Sequence, residues 1–211
     1  MGCSLLAGAL VLAACGGSGE QYVKNGEDHA YFRVPGEWKL YDEKHVIDNT
    51  DDLSEEQRDK ILENTWRTAF DASPDPELRN LFSGSARYPT GFALVQPLSG
   101  QSQDEVSDLA MRNQFVPVDE ALEGGQGDLL AYEMLNLDDG FHGIRFRARI
   151  HSDPESQIYS EGPAFTFEQI SLLNQAKDKM YSMFVMCSSK CFEGHTDRIT
   201  RVIDSWTVEE S

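Results

Sequence analysis

Gly143-Ile144-Arg145-Phe146-Arg147-Ala148-Arg149-Ile150 alternates apolar and basic side chains after its opening glycine. Successive side chains of a β-strand point to opposite faces. This period of two therefore predicts a strand with Ile144, Phe146, Ala148 and Ile150 on one face and three arginines on the other. Residues 129–135 before it, and 165–174 and 180–188 after it, also read as extended. Short polar turns separate several of these stretches, including Gly124-Gly125-Gln126-Gly127, which argues for antiparallel pairing. Earlier in the chain, residues 31–35, 38–41, 66–70 and 91–98 read as strands. Pro35-Gly36 makes a turn, and residues 72–89, rich in Ser, Pro and Gly, make a long loop.

Helices are fewer. Asp51, Asp52, Glu55 and Glu56 place negative charge where a helix macrodipole favours it, with a capping box from Ser54 to Gln57 or from Asp52 to Glu55. Leu53, Ile61 and Leu62 give that helix a thin apolar face. Ser102 to Glu105 reads as a second capping box ahead of Val106, Leu109, Ala110 and Phe115. Ile199, Val202, Ile203 and Trp206 form an apolar stripe on a final helix with Thr196 as its N-cap. Strands outnumber helices and cluster late. The expected fold class is α+β, an antiparallel sheet of about six to eight strands flanked by helices. No internal repeat divides the chain, so residues 30–211 read as a single α+β domain.

The chain has 211 residues and a formal net charge of −18. Such a balance repels nucleic acid and anionic headgroups. It keeps an exposed protein soluble and can attract cations or basic partners.

The N-terminus carries a different signal. Residues 5–15 are apolar and uncharged, and they close on Leu12-Ala13-Ala14-Cys15 before Gly16-Gly17-Ser18-Gly19. A bilayer span needs roughly 20 apolar residues, so this run is too short to cross and fits the apolar core of a secretory signal. The order of a branched apolar residue, two small residues and Cys resembles the lipobox of bacterial lipoproteins. That resemblance implies a signal peptide at 1–14, a diacylglyceryl group and further acylation on Cys15, and a flexible tether over 15–29. It also implies a protein anchored to the cell membrane on its extracytoplasmic face. Two acyl chains anchor stably where one does not, each buried methylene contributing about 0.8 kcal/mol. The first basic residue is Lys24, so no basic segment precedes the apolar run, as expected of a start assigned too far downstream. Two rivals are a cytoplasmic chain with an apolar N-terminal strand and N-myristoylation of Met1-Gly2-Cys3. The latter motif wants Ser or Thr where this chain has Leu6.

Phe32-Arg33-Val34-Pro35-Gly36-Glu37-Trp38 resembles the opening F-x-V-P-x-x-W of the Mog1/PsbP-like fold group, which includes actinobacterial lipoproteins of the LpqN type. Ile203-Asp204-Ser205-Trp206-Thr207-Val208 is similar to the group's closing I-x-S-F-x-V, with Trp206 in place of Phe. The resemblance covers residues 31–208 and implies a sheet sandwiched between helices, acting in binding or assembly. It carries no catalytic residue across.

Candidate chemistry is sparse. Cys187 and Cys191 are an even pair in an exported chain, which favours a disulfide fixing the turn between the last strand and the last helix. With His195 and Asp197 they also have spacing that can ligate zinc. Arg145, Arg147 and Arg149 form a basic stripe, either an anion or partner contact or a row paired with carboxylates such as Glu133 or Glu168. The acidic pairs Asp51/Asp52, Asp75/Glu77 and Asp138/Asp139 lack the oxygen spacing of a calcium loop. No nucleotide or hydrolase motif appears, and no cofactor is implied. The expected function is a lipid-anchored extracytoplasmic binding or assembly domain without catalysis. The alternatives are a carrier of an apolar ligand in a pocket lined by Phe92, Phe146, Met183 and Phe184, and a hydrolase using a dispersed His such as His142 or His151. The membrane, through the anchor, and an unidentified protein or apolar ligand are the expected partners; nucleic acid is not.

Overall fold

The computed structural model describes residues 19–48, 53–82, 86–151 and 164–209. The segment 1–14 expected to be a signal peptide, Cys15 and the acidic pair Asp51/Asp52 lie outside the described residues. In chain order the elements are β1 (Glu20–Asn25), β2 (Ala30–Pro35), β3 (Lys39–Tyr41), α1 (Glu43–Asp48), α2 (Glu55–Asn64) and β4 (Trp66–Asp71). A 3-10 turn at Leu78–Phe82 leads to β5 (Thr90–Pro97), α3 (Gln101–Glu105), α4 (Asp108–Arg112) and α5 (Val118–Glu123). The chain finishes with β6 (Gly127–Asn136), β7 (His142–Ile150), β8 (Phe165–Leu173), β9 (Lys179–Ser188), α6 (Ser189–Asp204) and β10 (Thr207–Val208).

Seven strands form one antiparallel sheet in the order β3-β4-β5-β9-β8-β7-β6, and β1, β2 and β10 form a second sheet. The expected α+β class and antiparallel pairing both hold. β8 is buried along its whole length and β9 in all but its first residue, as expected of central strands covered on both faces. On one face, α6 and the small sheet pack Phe32, Val34, Ile199, Val202, Ile203 and Trp206 against Val95, Leu172, Met183 and Val185. Each such buried side chain contributes roughly 1.5–3 kcal/mol relative to exposure. On the other face, Met111, Val116, Val118 and Ala121 of the α4–α5 segment cover Ile144, Phe146, Ala148, Phe167 and Phe184.

Local chemistry explains the element ends. Ser54 caps α2 with the reciprocal Gln57 box. Asp71 is fully buried and accepts the amides of Ser73 and Glu77 and the side chain of Asn80, which pins the long loop. Gly91 gives way to its neighbours: a Cβ there would sit 2.4 Å from the Phe184 carbonyl oxygen and 2.5 Å from the Phe70 ring.

Three expectations are corrected. The tether does not run to residue 29, because Glu20–Asn25 pairs along its length with β2, so the folded domain begins before residue 30. Ser102 caps no helix; α3 and α4 are separate, and Ser107 accepts the Ala110 amide at the start of α4. α6 begins at Ser189 with Ser188 as N-cap, and the Thr196 hydroxyl inside it donates to the Phe192 carbonyl. A threonine bonded back to the preceding turn is compatible with a helix interior.

Candidate functional site

The arginine row of β7 lies under α6. Glu168 on β8 stands directly across from Arg147 and is buried. Arg145 Nε donates to Glu168 Oε1 at 2.8 Å, and Arg147 Nε and Nη2 donate to Oε2 at 3.0 and 2.6 Å. Arg145 Nη1 also reaches Asp204 in the last turn of α6 at 2.8 Å. The Arg147 guanidinium sits 5.1 Å from the centroid of the Phe192 ring, and Arg149 pairs with Glu193 at 3.3 Å. Burial alone would lower the Arg145 pKa; the charge and hydrogen bonds of Glu168, with Asp204, outweigh it and raise it. Three carboxylates therefore answer three guanidinium groups. The row clamps α6 to the sheet, and most of its donors are engaged, Arg149 Nε being buried without a partner among the described residues. Glu133, which faces Arg145 from β6, is exposed at the sheet edge.

Cys187 in β9 and Cys191 in the first turn of α6 form a disulfide, with Cα atoms 5.9 Å apart. Their sulfurs bond each other, so the thiolates that the zinc alternative requires are absent. His195 lies one turn beyond Cys191. Among the described residues no group of three His, Cys, Asp or Glu side chains is placed to hold a metal.

Of the apolar-carrier residues, Phe92, Phe146 and Phe184 share one packed cluster and Met183 lies on the other face of the sheet. Met183 and Phe184 are adjacent in β9 and enter opposite faces of the sheet. Phe146, Met183 and Phe184 are at most 3% exposed and are packed as core side chains. Phe92 packs on Phe115 and Phe184 at ring-centroid distances of 4.8 and 5.5 Å. Of the candidate hydrolase histidines, His142 begins β7, and His151 Nε2 lies 2.9 Å from Asp128 at the far end of that strand.

The strand read at residues 129–135 is β6, and what the sequence reading missed is its exposure. This strand is the last of the large sheet, and no described residue pairs with its outer edge. Leu130 drops out of the register with β7 as a bulge, which returns Leu129, Tyr132 and Met134 to the face of Ala148, Phe146 and Ile144. There the helical cover ends, and Met134 is 51% exposed. Leu129, Leu130 and Tyr132 are exposed beside it, and so is Leu109 of α4. The Tyr132 hydroxyl donates to Met134 Sδ at 3.3 Å, and the Arg112 guanidinium lies 5.9 Å from the Tyr132 ring centroid. Partial burial, then the charge of Asp108, with Asp119, raises the Tyr132 pKa, opposed by Arg112. Carboxylates flank this edge on both faces of the strand: Asp108 and Asp119 beside the apolar row, Asp119 paired with Arg112, and Asp128 and Glu133 on the opposite face. The strand carries no Lys or Pro, the residues that commonly block strand addition. Under α4, a polar cluster of Gln114, Gln169, Ser171 and Ser182 ties the α4–α5 segment to the sheet, with Gln169 donating to the Met111 carbonyl at 2.7 Å.

No family model matches the chain, and no curated protein matches it. Solved structures do. The solution structure of cyanobacterial PsbP (CyanoP) from Synechocystis sp. PCC 6803 superposes with a TM-score of 0.53, covering 93% of this chain and 98% of that one at 13% identity. The Pseudomonas aeruginosa protein of unknown function PA94 gives a TM-score of 0.43 at 12% identity, covering 91% and 99%. The Saccharomyces cerevisiae Ran-binding protein Mog1p gives 0.46 at 10% identity, covering 91% and 96%. The fold is Mog1/PsbP-like, in agreement with the resemblance of residues 31–208. At such identities the likeness concerns the fold alone.

Proposed function

We propose that this chain is a lipid-anchored extracytoplasmic binding domain that docks an extended, basic protein segment and catalyses no reaction. The observation that carries it is β6, a ten-residue edge strand with an apolar row and flanking carboxylates. Free N–H and C=O groups on such an edge pair with an added strand, and apolar neighbours supply contact area. The carboxylates flanking the strand, in a chain of charge −18, favour a basic partner over an acidic one. The lipobox-like Leu12-Ala13-Ala14-Cys15 supports the anchor.

A photo-crosslinking residue at Tyr132 of the full chain, in its own cells, tests the docking. Adducts are expected on a Lys/Arg-rich segment of one envelope protein, and Met134→Lys should abolish them. Adducts that persist in Met134→Lys, or none at Tyr132, would contradict edge docking.

A further inference from the structure

The start of β1 is fixed more firmly than a tether requires. The Gly36 amide donates to the Gly19 carbonyl at 2.6 Å. Gln21 Nε2 donates to the carbonyls of Gly36 and Trp38 at 3.1 and 2.7 Å. A Cβ on Gly36 would lie 2.5 Å from the Gly19 oxygen, so this contact requires glycine. Gly19 is therefore held at a defined point on the domain surface.

A cavity of about 180 Å³ opens at that point, beside α6. Its charged lining is Glu20, Arg33, Glu37, Arg198 and Arg201. Arg33 pairs with Glu20 at 2.9 Å, and Arg198 pairs with Glu37, all four side chains being substantially exposed. Arg201 Nε donates to the Asp197 carbonyl at 3.2 Å, and no carboxylate among the described residues pairs with its guanidinium. The lining thus carries three cations against two anions, in a chain whose net charge is −18. Exposed ion pairs are weak, so a competing anion can displace either carboxylate. Guanidinium groups present parallel N–H donors that match phosphate oxygens.

Cys15 precedes Gly19 by four residues, and an extended chain spans at most about 3.6 Å per residue, so the span is at most about 14 Å. We propose that the cavity binds a phosphate group through Arg33, Arg198 and Arg201, and that the short link from Cys15 holds it at the level of phospholipid headgroups. Only the source of the phosphate rests on the anchored reading; the cavity's chemistry does not. The two sources are an anionic lipid headgroup, held by this local excess of cations against the repulsion of the chain's overall charge, and free phosphate.

The arginine Nε–H resonances of the full chain in neutral detergent, titrated separately with dihexanoyl phosphatidylglycerol and with inorganic phosphate, test this. The Arg201, Arg33 and Arg198 signals should shift with saturation. Arg201→Ala should weaken binding by about tenfold or more, as loss of a charge-assisted contact does, while Arg79→Ala, in the 3-10 turn and outside the cavity lining, should leave it unchanged. Tighter binding of the lipid assigns the site to a headgroup, and tighter binding of inorganic phosphate assigns it to the free anion; either upholds the phosphate site. No shift with either titrant, or equal binding by Arg201→Ala, overturns it. The intact mass of the membrane-extracted protein reports diacylglyceryl on Cys15 separately. An unmodified Cys15 with phosphate binding intact would remove the anchor and leave the cavity standing.

Discussion

Two sets of three arginines flank α6, and they have opposite fates. Arg145, Arg147 and Arg149 stand at alternate positions of one strand and face a buried Glu168, with Asp204 and Glu193 closing the charge. Arg33, Arg198 and Arg201 come from two elements far apart in sequence and meet two exposed carboxylates at a cavity. The set that is dense in sequence is consumed by structure. The scattered set keeps donors for a ligand. Partnering and burial, not density along the chain, decide which cations can bind.

Breaking the buried set should have the largest effect. Glu168→Ala leaves Arg147 without a carboxylate and Arg145 with only Asp204; loss of one partner from a buried pair costs about 3–5 kcal/mol, and because both guanidinium groups are about a quarter exposed the low end of that range is expected. Denaturant unfolding measures it; a loss under 1 kcal/mol would show that water compensates the row. Next comes the disulfide that joins β9 to α6, the helix the row holds down. Cys187→Ser with Cys191→Ser should lower stability by about 2 kcal/mol on the chain-entropy view of a short loop.

Glu43 sharpens the comparison as an intermediate case. Burial pushes its carboxyl up to about 7, and the charge and backbone N–H of Arg67 only partly offset this. A carboxyl whose folded pKa is raised binds a proton more tightly when folded. Its favourable contribution is full below its unfolded value, near 4.5, and is lost as pH rises to about 7. Stability curves at pH 5 and pH 8 should therefore differ more in the wild type than in Glu43→Gln. Equal differences would mean that Arg67 neutralises the site. The smallest effects belong to exposed positions. Arg201→Ala and Met134→Lys should each change stability by less than about 0.5 kcal/mol, whatever they do to binding, and a thermal melt checks both.

Much of this architecture is written in short-range pattern. The alternation at 143–150, the Ser54–Gln57 box and the stripe through Ile199, Val202 and Ile203 each depend on local spacing that one element satisfies. The disulfide was legible because two cysteines four apart, in a chain whose N-terminus reads as an export signal, have few other fates. Other features depend on what lies opposite. Glu20–Asn25 is polar enough to read as tether, and only β2 makes it a strand. Residues 129–135 look like core strand, yet the helical cover reaches only the Gly127 end of β6 and leaves Met134 exposed. Met183 and Phe184 were a poor lining pair on the period of two alone, since neighbours in a strand cannot share a face. The cavity at Gly19 has no local signature, because Arg33 and Arg201 are joined only by the packing of α6 on β2.

The most direct measurement of the division between a closed interior and a binding edge is amide hydrogen exchange on the full chain, in its native membranes and after extraction into neutral detergent. The expected result is slower exchange along β6 in the membranes, where a partner strand covers its edge, with β7, β8 and α6 unchanged between the two states. Identical exchange along β6 in both would contradict edge docking.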